Sequence, residues 1–215
     1  MNQSDILSPS EQEALRKLRI VEFRKILDPL VAELKNQNDR SAVIVGAAQL
    51  DDLLAELLAH FFLDGRKKPK DRKADSLLGR DRPLSTFSSR IDAAHRLGLI
   101  GETFARSMDV VRDMRNEFAH QVHQSSLDKS PHRERIAQLV DLLPAPTFWK
   151  LAIGKFGQDT PGNRFRAFVG LSTAMLMADV ANVTRATRQP LASTNWNPAG
   201  RGTLGAAVSV EKARK

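Results

Sequence analysis

The side chains best able to do chemistry cluster in Arg115-Asn116-Glu117-Phe118-Ala119-His120. Asn116 and His120 are four residues apart and so share one face of a helix. By spacing alone that face hydrogen-bonds neighbouring helix ends or a dimer partner. Arg115 falls inside the series Phe104, Met108, Val111, Phe118, Val122, which recurs at steps of three and four. A guanidinium in such an apolar stripe is costly without an acid beside it. Asp51, at the angular position between Leu58 and Phe62 on the preceding long helix, is the expected partner, giving a buried Asp51–Arg115 pair. His120, His123 and His132 lack zinc-site spacing, and the chain has no cysteine. No metal or other cofactor is expected. There is also no Gly-rich phosphate loop, no nucleophile elbow and no carboxylate dyad, since the adjacent Asp51 and Asp52 point in different directions. These residues name no enzyme class: they leave catalysis open and lean away from it.

The elements that must position these residues are helices throughout. Leu15, Leu18, Phe23, Ile26, Leu27, Leu30 and Leu34 predict a first helix over about 11–37, kinked at Pro29. Asp39 or Ser41 caps a second, in which Val43, Ala47, Leu50, Leu54, Leu57 and Phe61 form a seam that ends at Gly65. Ile44, Leu58 and Phe62 widen its apolar face, so this helix should form the core. A short helix with Ile91, Ala94 and Leu97 follows the hydroxyl-rich Ser85-Thr86-Phe87-Ser88-Ser89, whose hydroxyls serve as caps. Helices over about 102–121, 131–143 and 163–187 complete an all-α bundle of five to seven helices, with Pro144-Ala145-Pro146 ending the 131–143 helix. The expected organisation is a flexible N-terminus (1–10), one helical domain (11–188) and a disordered basic tail (189–215).

The net charge is +8 over 215 residues, with six basic residues in the eight from Arg66 to Lys73. Arg66, Lys67, Lys68, Lys70, Arg72 and Lys73 are therefore candidates for contact with nucleic-acid phosphates, while the simpler reading is a solvated loop. Tyrosine is absent and aromatics make up 6% of the chain, so no base-stacking platform is visible. No apolar run reaches the ~18 residues of a membrane span, and the polar first ten residues hold no signal-peptide core. A cytoplasmic address is expected, with no membrane partner.

Two longer stretches carry a resemblance. One runs Ser41-Ala42-Val43-Ile44-Val45-Gly46-Ala47-Ala48-Gln49-Leu50-Asp51-Asp52-Leu53-Leu54. The other runs from Leu77 through Gly79-Arg80-Asp81-Arg82-Pro83-Leu84 to Ile91, and continues through Leu97-Gly98-Leu99-Ile100 to Arg112-Asp113-Met114 and the Arg115–His120 segment. Together, over about 40–122, they resemble the mannitol operon repressor (MtlR) family. That resemblance implies an all-helical, self-associating protein, a homodimer or higher, that regulates carbohydrate-operon expression without a helix-turn-helix. It would act through a protein partner of transcription or sugar regulation, or through weak DNA contact. The shorter Arg115-Asn116-x-x-x-His120 also resembles the motif of HEPN-domain ribonucleases. That likeness implies metal-free RNA cleavage in stress or defence, with Arg115, Asn116 and His120 as catalytic residues. A structural interaction module is a third reading.

Overall fold

The computed structural model describes residues 25, 28–62, 75–120, 126–141 and 146–184, all of them in the first of two units, Met1–Arg185. Helix is the regular structure throughout these residues, and no strand occurs among them. We number the helices α1 (28–35), α2 (Asp39–Phe61), α3 (Phe87–Arg96), α4 (Glu102–His120), α5 (His132–Asp141), α6 (Pro146–Phe156) and α7 (Pro161–Asn182). The expected flexible N-terminus, most of the first helix, the basic run Arg66–Lys73, residues 121–125 and the basic tail lie outside the described residues.

Local sequence sets the helix starts. Asn38 caps α2, its Oδ1 accepting the Ser41 N–H at 2.8 Å. The expected caps, Asp39 and Ser41, are one and three residues too late; Asp39 instead accepts the Leu127 N–H at 3.0 Å and pairs with Arg166. Thr86 and Ser89 form a reciprocal capping box at α3. Pro161 opens α7 behind the Thr160 cap. By the same rule Pro146 starts α6, where the sequence reading placed only the end of the preceding helix. A proline in a first turn gives up an N–H that has no partner anyway.

The core forms where α2 meets α7. Val43, Ala47, Leu50, Leu54 and Leu57 are buried as the seam predicts, as is Leu58 of the widened face, while Phe61, Ile44 and Phe62 remain half-exposed. Helix α7 is more deeply enclosed: the ten residues Phe165 to Ala174 are all buried, Arg166, Ser172 and Thr173 among them, so this part of the helix is covered on every side. Gly46 lets the two helices approach closely. A Cβ there would lie 3.0 Å from both Val169 methyls. Helices α5 and α6 pack on α7, and α3 and α4 pack on α2 and on each other.

One arginine in this core holds three elements together. Arg166 is 7% exposed and donates to the carbonyls of Leu34 (3.2 Å) and Gln37 (2.7 Å) and to Asp39 Oδ1 (3.1 Å). It thereby joins α7 to the α1–α2 turn. Asp128 ties in the adjacent loop by accepting the Gly162 N–H at 3.2 Å.

Candidate functional site

The outward side of α2, the turn before α3 and the second half of α4 enclose an open cleft of about 530 Å³. Asp51 and Asp52 come from α2, Ser85 to Ser88 from the start of α3, and Arg112, Arg115 and Asn116 from α4. The two stretches that carry the resemblance therefore meet on one surface.

Arg90 builds its frame. From α3 it donates through Nε to the Leu84 carbonyl at 2.9 Å and through Nη1 to Asp51 Oδ1 at 2.7 Å. Its side chain is 12% exposed. One guanidinium thus fixes the 84–88 turn against α2. The turn is further shaped by Asp75, whose Oδ1 accepts the N–H groups of Leu77 and Leu78, and by Leu84 N–H donating to the Leu77 carbonyl at 2.9 Å. Asp81 adopts a left-handed backbone (φ 59°), a conformation aspartate tolerates better than most side chains. On α4, Arg112 spans Asp109 (2.5 Å) and Asp113 (2.9 Å) and donates to Ser88 Oγ at 3.1 Å, tying α4 to the start of α3. Burial raises the Asp51 carboxyl above its ordinary range, the Arg90 hydrogen bond and charge oppose this, and the charge of Arg115 lowers it slightly.

The expected buried Asp51–Arg115 pair is corrected by this geometry: Asp51 bonds Arg90, and Arg115 is exposed. Met108, Val111 and Phe118 of the expected stripe are fully buried, and the departure is confined to the position between the last two. Met114, fully buried, takes the core position between Val111 and Phe118, and that turns Arg115 outward by about 100°. Arg115 donates to Asn116 Oδ1 at 3.0 Å and makes no ion pair with a carboxylate among the described residues. Asn116 and His120 are exposed as well; Asn116 lines the cleft, whereas His120, at the C-terminal end of α4, is not part of its wall. Among the described residues no three His, Asp or Glu side chains group as metal ligands. No described helix is long and apolar enough to cross a membrane.

No family model matches the chain, and no curated protein matches it significantly. Among solved structures it is similar to a chain of the X-ray structure of the MtlR–HPr complex from Escherichia coli. The TM-score is 0.50 at 18% identity, over 73% of this chain and 99% of that one. The likeness is one of fold. It spans nearly all of the other chain and agrees in architecture with the mannitol-repressor resemblance.

Sequence reasoning missed three residues that matter here. Arg90 stands at i, i+4, i+7 with Ala94 and Leu97, on the apolar side of α3, and so needed a partner as much as Arg115 did. Arg112 has aspartates at −3 and +1, the local sequence signal of the ion pairs that it makes. Arg166 sits between Phe165 and Ala167 in an unbroken buried run, a stronger signal of a paired arginine than the one read at 115.

Proposed function

We propose that the chain is a non-enzymatic regulatory domain that acts on carbohydrate-operon expression through a protein partner, with the cleft around Arg115 as its contact surface. The observation that carries this reading is the shared fold with a chain from a complex containing HPr, a match that takes in 99% of that chain. The chemistry of the cleft supports it. Asp51 is satisfied by Arg90 and Arg112 by two aspartates, so no proton donor or nucleophile stands activated there. Arg115, Asn116 and the exposed Thr86 and Ser88 offer the directional polar contacts that an interface rim uses. The test is calorimetric titration of the purified chain with the HPr of its own host. Saturable binding at micromolar concentrations supports the reading, and no heat up to millimolar removes HPr as the partner.

A further contact with DNA through Arg66, Lys67, Lys68, Lys70, Arg72 and Lys73 would be independent of sequence. Its affinity would fall with salt at a logarithmic slope of about −0.9 per phosphate neutralised. Changing the four lysines to Gln should flatten that slope.

One observation favours ribonuclease chemistry as a second reading. Arg115 and His120, expected to be split between core and surface, are both exposed, so neither is withheld from a phosphate by a buried carboxylate. RNA cleavage in EDTA, lost in His120→Ala at unchanged melting temperature, would make this reading primary.

A further inference from the structure

The outer face of α2 has a second groove, of about 520 Å³, shared with α1 and α7. Its apolar wall is Val45, Ala48, Leu53 and Met177; Glu33, Asp52 and Glu56 stand around it, and no Lys or Arg of the described residues lines it. Four large apolar side chains are exposed among the described residues, and two of them, Val45 (37%) and Met177 (42%), meet here. Scattered exposed apolar residues need no explanation, but two converging in a concave site mark an interaction surface. Methionine suits such a surface because its unbranched thioether adapts to whatever covers it.

The charge identifies the occupant. The chain carries 33 basic and 25 acidic residues, yet this groove is acidic. Glu33 and Glu56 make no ion pair among the described residues, so their charge is available to an incoming cation. Val45 to Glu56 is a run of twelve residues of α2, whose eleven steps of 1.5 Å give about 16 Å, which matches three turns of a second helix. We propose that this groove docks an amphipathic helix of a partner protein, its apolar stripe on Val45, Leu53 and Met177 and its flanking Lys or Arg residues facing Glu33 and Glu56. The groove adjoins the Arg115 cleft along Ala48 and Asp52, but Glu33, Val45, Leu53, Glu56 and Met177 belong to it alone, so substitutions at these residues test this proposal apart from the functional reading.

A synthetic 18-residue helical peptide with a leucine stripe flanked by lysines is the probe, with a glutamate-flanked peptide of the same stripe as control. Titrated into the ¹⁵N-labelled full chain, the lysine peptide should shift the amides of Val45, Ala48, Gln49, Leu53, Glu56 and Met177. Its affinity should fall at least tenfold in Glu33→Lys/Glu56→Lys, a surface change that leaves the fold intact. Equal binding of the two peptides, shifts elsewhere, no saturation up to millimolar, or indifference to the double charge reversal would each overturn the proposal. So would sedimentation showing that two copies of the chain meet through this groove, with Val45→Glu converting dimer to monomer.

Discussion

Two arginines, on helices that both pack against α2, show how one residue type serves two ends. Arg166 lies in the second turn of the most enclosed helix and directs its Nε and Nη2 donors to two carbonyls and a carboxylate inside the protein. Arg115 stands on the surface of α4 beside a cleft, hydrogen-bonded to its own neighbour. A buried guanidinium must be satisfied inside the protein, because desolvating it unpaired costs more than any packing around it returns. An exposed one is stabilised by water until something binds. The first region is structural, the proposed function puts recognition in the second, and substitutions should separate them.

The largest effect is expected at Arg166. Arg166→Ala strands Asp39 and the carbonyls of Leu34 and Gln37 at the α1–α2 turn, a loss of roughly 3–5 kcal/mol. Thermal denaturation should show a fall in Tm on the order of 10 °C. A Tm within a degree of wild type would mean that the hub does not hold the fold and would break the comparison at its structural end.

The frame of the cleft should be intermediate. Asp51→Ala leaves Arg90, 12% exposed, with only the Leu84 carbonyl, and should cost about 1–3 kcal/mol by urea unfolding. Asp52→Ala, at an exposed position one residue on, should cost under about 0.5 kcal/mol. Equal midpoints for the two variants would show that the Asp51–Arg90 bridge does not organise the cleft.

A pH experiment sharpens the contrast on the enclosed side. His132 is 5% exposed, its ring 4.6 Å from that of Phe118, and burial lowers its pKa below the usual histidine value although Glu117, 3.7 Å away, pulls the other way. With the folded pKa depressed, the unfolded chain takes up the proton first. Stability contributed by neutral His132 is therefore complete above about pH 6.5 and is lost as pH falls below it towards the folded pKa. Urea midpoints at pH 7.5 and 5.5 should differ in that direction, and the part due to this residue should vanish in His132→Gln. An unchanged pH dependence in the variant would place the titrating group elsewhere.

Much of this was legible in the sequence and some was not, for reasons that differ by residue. The all-helical class and the α2 seam follow from periodicity, because Val43, Ala47, Leu50, Leu54 and Leu57 repeat at steps that only a helix brings to one side. The exposure of Arg115 was misread because its stripe contains a second apolar candidate: Met114 and Arg115 differ by one residue, and a turn of about 100° decides which is buried. Longer-range facts, such as Asp51 meeting Arg90 or Asp39 meeting Arg166, depend on how helices cross and leave no local trace beyond a charge beside apolar neighbours. The start of α6 was missed because a proline ends one helix and begins another with equal ease. For the site, the stretches 41–54, 77–91 and 112–120 could be picked out singly, while their meeting at one cleft belongs to the fold.

Arg115→Ala tests the account most directly. Its Tm should stay within about 2 °C of wild type, since an exposed side chain away from buried partners contributes no more than about 0.5 kcal/mol. In calorimetric titration against the host's HPr the same variant should bind at least tenfold more weakly than wild type. A drop of many degrees in Tm would restore Arg115 to the core, and undiminished binding of HPr would take the cleft out of its recognition.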